Sequence, residues 1–282
     1  MKAPAASELQ RQDSGGISYV ARLGGDGIPL VLLHGIGSNA LSFAAMMQAL
    51  PAGFPVIAWD APGYGGSRPF DIDWPSPDHY AGAVAGLLDR LGWPRINLLG
   101  HSLGALVAGR FAVRYPERLA HLVLSSPALG YGSAPGAPLA APAASRLDAM
   151  ISEGALKFAA TRGPRLVFDR SKAGLVAEVT STMSEVELPG YAHASRLLSS
   201  GDLLADAAKI ATPTLVVVGA QDEVTPPANC RRVYDALMQA RPQLAHRFEL
   251  VDRAGHAAAQ EQPEALARLV AAACSVSTDR AS

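Results

Sequence analysis

The sequence predicts an α/β domain built on a doubly wound, mostly parallel sheet, with a helical lid inserted late in the chain. Three observations carry this. Short apolar runs recur along the chain, and most are continuous rather than alternating, as in parallel strands covered on both faces. Helical patterns separate them, which is the alternation of a doubly wound sheet. The alternation stops only over residues 130–211, where helical patterns continue without a clear strand.

The strand candidates are Ile17–Leu23, Pro29–His34, Pro55–Asp60, Arg95–His101, Leu119–Ser125, Thr214–Gly219 and Arg247–Val251. Ile17–Leu23 alternates more than the rest and reads as an edge strand. Helical patterns occupy roughly 40–50, 78–91, 103–115, 228–240 and 261–273. The interruption opens with Gly130-Tyr131-Gly132-Ser133-Ala134-Pro135-Gly136, a flexible entry, and 134–144 is rich in Ala and Pro. A structureless connection of that length is rare in a compact domain. Residues 1–129 and 212–282 are therefore expected to form the core, and 130–211 a helical lid after the run Leu119–Ser125. The alternative is a set of extra helices packed elsewhere on the sheet.

Composition narrows the function classes. Of 282 residues, 49% are hydrophobic and 17% charged, a globular balance rather than a disordered one. A formal net charge of −1 gives no electrostatic reason to expect nucleic acid or an anionic membrane as partner. No uncharged apolar run is long enough to span a bilayer. The amino-terminal Met1-Lys2-Ala3-Pro4 stretch lacks the apolar core of a secretory signal, and Ser275–Ser282 is expected to fray. Cys230 and Cys274 form no C-x-x-C pair and have no histidine cluster at metal-ligand spacing, so a disulfide framework is not expected. Reduced thiols fit a cytoplasmic protein. The expected partner is a small-molecule substrate, and a homodimer is compatible with the sequence.

Gly100-His101-Ser102-Leu103-Gly104 matches G-x-S-x-G, follows an apolar strand and opens a helical pattern. That context turns a common motif into a candidate nucleophile turn: a tight strand-to-helix bend lifts the Ser102 hydroxyl clear of the sheet. The adjoining helix start favours negative charge there. His34-Gly35-Ile36-Gly37 ends another apolar strand, and a loop of this type supplies one backbone N–H to an oxyanion hole. Ile36 and Leu103 are the expected donors.

A serine needs a neutral imidazole to become nucleophilic, and the imidazole needs an orienting carboxylate. Among seven histidines, His256 lies in the loop after the last apolar run, in Asp252-Arg253-Ala254-Gly255-His256. His101 is expected to position rather than to act as base, and His79, His121, His193 and His246 read as structural. Asp222, in Gly219-Ala220-Gln221-Asp222, sits past the carboxyl end of a strand, where open α/β sheets bind ligands. Glu223 is its neighbouring competitor. Cys230 is an alternative nucleophile, displaced by Ser102.

With these blocks, Asp60-Ala61-Pro62-Gly63-Tyr64-Gly65-Gly66-Ser67 and Glu261-Gln262-Pro263, the chain resembles the α/β-hydrolase superfamily over about residues 15–273. Within it, the chain looks most like small bacterial esterases, enol-lactone hydrolases and hydrolases of meta-ring-cleavage products in aromatic catabolism. The resemblance implies an acyl-enzyme serine mechanism on a carboxylic ester or lactone, which requires neither metal nor cofactor. Hydrolysis of a carbon–carbon bond is the alternative. Ser38-Asn39-Ala40 stands where the carbon–carbon hydrolases tend to carry P-G-A, and Ala257 where they tend to carry Trp. Relatives with an aspartate nucleophile differ at Ser102. A binding protein that has lost catalysis is a further class, against which the full set of candidate residues stands. In the lid, Arg162, Arg165 and Arg196 are candidates to pair with a substrate carboxylate, and Phe168, Met183 and Tyr191 to line an apolar pocket.

Overall fold

The computed structural model describes residue 9 and residues 11–275. Residues 1–8, 10 and 276–282, which include most of both terminal stretches considered above, lie outside the described residues. The elements run β1 (Arg11–Ser14), β2 (Ile17–Arg22), β3 (Leu30–Leu33), α1 (Ala44–Ala49), β4 (Val56–Trp59), α2 (Pro77–Leu91), β5 (Ile96–His101), α3 (Leu103–Arg114), β6 (Leu119–Ser125), α4 (Ala141–Arg162), α5 (Ala173–Ser184), α6 (Leu188–Ser200), α7 (Leu203–Ala207), β7 (Thr214–Gly219), α8 (Pro227–Ala240), β8 (Arg247–Val251), α9 (Ala258–Glu261) and α10 (Pro263–Cys274).

The eight strands form one sheet in the order β1-β2-β4-β3-β5-β6-β7-β8, antiparallel at β1–β2–β4 and parallel from β4 onward. Burial on both faces explains the continuous apolar runs. Val31, Leu33, Ile57, Leu98, Leu122 and Val216 point into the core beneath α2, α3 and α8. The intervening Leu30, Leu32, Val56, Leu99, Val123 and Leu215 point into the opposite core against α1 and α10.

One expectation is corrected. Ile17–Arg22 is not the edge strand, because β1 pairs outside it, Ser14 opposite Ile17. The two-residue loop Gly15-Gly16, with φ 63° and 84°, makes the tight hairpin turn that suits the twist of paired strands. β1 itself, Arg-Gln-Asp-Ser, is mostly exposed and has no apolar side chain, so hydrophobic pattern gave no sign of it.

Between β6 and β7 the chain forms four helices, α4 to α7. α4 is broken at Gly154, whose φ 74° and ψ 161° lie outside helical space. α6 buries Tyr191, Ala194, Leu197 and Leu198 in the same core that holds α3. Among the described residues no helix is long and apolar enough to cross a membrane.

The close seat of α3 on the sheet depends on two glycines. A Cβ at Gly100 would collide with the Gly104 carbonyl, and one at Gly104 with the Leu33 and His34 carbonyl oxygens. Backbone cannot rotate away as a side chain can. Gly104→Ala is therefore expected to lose about 2 kcal/mol or more of stability, read as a lowered urea midpoint at unchanged slope. An unchanged midpoint would contradict this packing.

Candidate active site

Ser102 occupies the turn between β5 and α3 at φ 53°, ψ −114°, the left-handed side that a residue with a Cβ seldom adopts. Such strain persists only where neighbours over-determine it. Here the Ser102 N–H donates to the Ser125 carbonyl at 2.9 Å, and the Ser102 carbonyl accepts from the N–H groups of Ala105 at 3.0 Å and Ala128 at 3.1 Å. Gly35 leaves room for the serine: a Cβ there would stand 3.1 Å from the Ser102 Cβ.

The candidate oxyanion loop is braced from two sides. His34 Nε2 accepts from the Ala61 N–H at 3.0 Å, so its proton sits on Nδ1 and is donated to the Gly35 carbonyl at 2.8 Å. Burial lowers the His34 pKa, which keeps the ring neutral in this role. The Tyr64 hydroxyl donates to the Ile36 carbonyl at 2.9 Å. The Ile36 and Leu103 N–H groups form no hydrogen bond with the described residues, and both residues border one cavity with Ser102.

His256 Nδ1 and Asp222 Oδ2 are 2.9 Å apart, and both side chains are buried. The other carboxylate oxygen, Oδ1, accepts from the Val224 N–H at 2.8 Å and the Thr225 N–H at 2.9 Å. The Thr225 hydroxyl lies 2.9 Å from Oδ2 and 3.0 Å from the Ser126 carbonyl, with one proton to share between them. Burial alone would raise the Asp222 pKa. The facing imidazole and these donors outweigh it and hold the carboxyl well below the usual carboxylate range. Glu223, the competitor, is largely exposed and pairs with Arg170 at 2.9 Å. His101 packs against His256, ring centroids 4.8 Å apart. Burial, with His256 beside it, pushes the His101 pKa down to about 3, so it stays neutral near neutral pH. The Cys230 thiol is pushed up to about 12, chiefly by burial, and makes no thiolate near neutral pH.

Two cavities of about 220 Å³ each meet at Ser102. The first holds Ser102 and His256 together, with Arg162, Arg165, Met183 and Tyr191 in its wall as the sequence suggests. Phe168 and Arg196 are corrections, since neither borders either of these cavities. The Phe168 side chain is 44% exposed. The Arg196 guanidinium lies over the Trp74 ring, 5.8 Å from its centroid. Five residues of helix turn a side chain about 140°, so Tyr191 and Arg196 on α6 cannot face one cavity. Sequence reasoning missed Arg146, Phe43 and Phe158, all in the wall. Phe158 precedes Arg162 by four residues on α4, the spacing of one helix face, and this was the available signal. Arg146 lies beyond the Gly154 break and had none. Among the described residues no cluster of side chains fits a metal ion.

The Glu261-Gln262-Pro263 block also finds a place. Glu261 Oε1 accepts from the Gly255 N–H at 2.7 Å and Oε2 from the Phe168 N–H at 2.8 Å. The Ala257 N–H donates to the Leu166 carbonyl at 2.9 Å. The histidine loop is thus tied to the segment joining α4 and α5.

A doubly wound sheet with a strained serine turn, and a buried histidine–aspartate contact at the carboxyl ends of its strands, defines an α/β hydrolase. Residues 29–263 match the family model described as serine aminopeptidase, S33 (Hydrolase_4), and the chain belongs to that family of hydrolases. It is 29% identical over 253 residues to a 2-hydroxy-6-oxononadienedioate/2-hydroxy-6-oxononatrienedioate hydrolase of Pseudomonas putida, covering 86% of this chain and 85% of that one. It is 30% identical over 245 residues to a pimeloyl-[acyl-carrier protein] methyl ester esterase of Neisseria meningitidis, covering 84% and 90%. Among solved structures, a thermophilic esterase from Thermogutta terrifontis superposes with a TM-score of 0.79 at 25% identity, covering 93% of this chain and 95% of that one.

Two outcomes are expected of this network. Because the Asp222 carboxyl is held low in the folded state, its stabilising contribution is present above about pH 4, where the unfolded carboxyl ionises. It is lost as pH falls through the lower folded value. The stability gap between wild type and Asp222→Asn should therefore narrow below pH ~4 in urea titrations; a constant gap would exclude the low carboxyl. Glu261→Ala leaves the buried Gly255 N–H and the partly buried Phe168 N–H without an acceptor and is expected to cost about 2–3 kcal/mol. It should also speed limited proteolysis within 163–172, and unaltered cleavage there would show that the tie is slack.

Proposed function

We propose that the protein is a serine hydrolase that cleaves a carboxylic ester or lactone of a small organic substrate through an acyl-enzyme. The observation that carries this reading is the 2.9 Å contact between His256 Nδ1 and Asp222 Oδ2 beside a cavity that His256 shares with Ser102. Asp222 holds the Nδ1 proton, so Nε2 is left as the base. Ser102 Oγ attacks the acyl carbon and passes its proton to His256 Nε2. The oxyanion that forms takes hydrogen bonds from the Ile36 and Leu103 N–H groups, worth roughly a hundredfold or more per donor. The C–O bond to the leaving group then breaks, and His256 returns the proton to the departing oxygen. Water adds to the acyl-enzyme with His256 again as base, releasing the acid and restoring Ser102. Water is the only co-substrate this sequence needs.

The helices between β6 and β7 act as a lid in this reading, since α4, α5 and α6 supply cavity wall through Phe158, Val179 and Tyr191. The two free cysteines suit a reducing compartment such as the cytoplasm. The ester reading is supported by the relative named as a methyl ester esterase. Carbon–carbon bond hydrolysis is the second reading, favoured by the relative that acts on an oxononadienedioate. Preferred turnover of a vinylogous diketone over p-nitrophenyl esters would select it.

A fluorophosphonate is expected to label Ser102, seen by mass spectrometry as one modified peptide. Ser102→Ala should abolish labelling and lower kcat/KM on p-nitrophenyl butyrate by about 10⁴ or more. An unlabelled Ser102 in folded protein that still hydrolyses the ester would rule this mechanism out.

A further inference from the structure

The cavity beside Ser102 carries positive charge that the fold does not neutralise. Arg146 and Arg162 reach its wall from α4, and Arg165 from the 3₁₀ turn that follows. Among the described residues none of the three forms an ion pair. Glu223 is the one carboxylate among the residues lining this cavity, and its Oε2 is engaged by Arg170 at 2.9 Å. Half-buried guanidinium groups without a carboxylate or hydrogen-bonding partner are costly to keep.

The charge is also placed. The Arg162 guanidinium lies over the Phe158 ring, 4.8 Å from its centroid, so it is held by a wall residue rather than left to roam. Arg146, like Ser102, borders both cavities. Tyr191 stands in the same wall. Burial pushes its pKa up to about 12 while the charges of Arg146 and Arg162 pull it down, so the phenol keeps its proton as a donor and both cations lie within electrostatic reach of it. Two forked donors and one phenol thus line a cavity that also holds the nucleophile, the donor set that suits a carboxylate.

We propose that Arg146 and Arg162, with the Tyr191 hydroxyl, form a carboxylate-binding subsite. The substrate is then a monoanion: an ester or lactone that carries a second, free carboxylate a few bonds from the scissile acyl carbon. This inference rests on the ester reading above and deepens it. Arg165, exposed at the rim, adds attraction for the anion without being its anchor.

Two measurements test it, one of which does not need turnover. In calorimetry, the Ser102→Ala protein is expected to bind a C4–C7 dicarboxylate such as adipate. The Kd should rise at least tenfold in Ser102→Ala variants that also carry Arg146→Met or Arg162→Met, with partial recovery for Lys, which keeps the charge but loses the fork. In kinetics, the wild type is expected to prefer monomethyl adipate to dimethyl adipate by at least tenfold in kcat/KM. That ratio should collapse at least tenfold in Arg146→Met, and taking a ratio within one variant cancels any general loss of active sites. No adipate binding, or Kd values unmoved by either arginine change, would overturn the subsite. Equal turnover of mono- and diester by a protein labelled at Ser102 would overturn the subsite and leave the serine esterase standing. A protein that binds adipate through Arg146 yet is neither labelled at Ser102 nor hydrolyses esters would retain the carboxylate subsite and overturn the ester reading, and with it the substrate class.

Discussion

The structure turns on the left-handed bend at Ser102. A residue with a Cβ held in such a conformation costs on the order of 1–3 kcal/mol, and the surrounding packing supplies it. Gly100 and Gly104 let α3 lie against β5 and the end of β3 at backbone contact distance. The bend is then held by hydrogen bonds to the end of β6 and to the chain that leaves it, through Ser125 and Ala128. The hydroxyl consequently stands beside the start of a helix, where unpaired N–H groups and the helix dipole favour negative charge. Relaxing the bend would swing the hydroxyl away from the cavity and from the Leu103 N–H together.

Parallel topology gathers the remaining groups. Because β3, β5, β6, β7 and β8 run the same way, the loops after them all open on one rim. β7 and β8 are neighbours, with Gly219 opposite Val251, so the loops bearing Asp222 and His256 start side by side. A Cβ at Gly219 would strike the Ala254 and Gly255 carbonyls, a measure of how closely those loops pass. Thr225 links Asp222 to the end of β6 through the Ser126 carbonyl, and Glu261 links the histidine loop to the helical insertion. The site is a set of strand ends joined by buried hydrogen bonds, so its polar groups are held in place by the fold itself.

Much of this was legible in the residues. The runs Leu119–Ser125 and Thr214–Gly219 became strands with those same bounds, because a continuous apolar run between turn residues buries both faces in a covered parallel sheet, and Arg247–Val251 kept its bounds as the half-buried strand at the sheet's edge. The glycine-flanked serine, the loop at His34 and the Asp222 and His256 positions were recognisable because each follows directly on a strand, so local sequence and spatial position coincide. β1 was not recognisable, since a polar edge strand is held by backbone pairing that leaves no hydrophobic trace.

The insertion marks where local sequence stops being informative. Helical patterns foretold helices somewhere within 130–211, but their bounds and the face each turns inward depend on what it meets. α6 docks on the core that holds α3 through Tyr191 and Leu197, which carries Arg196 to Trp74 and away from the cavity. The break at Gly154 redirects α4, and Arg146 reaches the cavity on the far side of that break from Arg162. By itself the sequence determined the strands, the serine turn and the chain order of serine, aspartate and histidine, because these rest on contacts between near neighbours and on one repeated burial pattern. Only the tertiary structure decided which arginines and aromatics surround Ser102. That choice rests on packing between segments far apart in the chain, Phe43 with Arg146, Arg162 and Tyr191, and no local pattern records it.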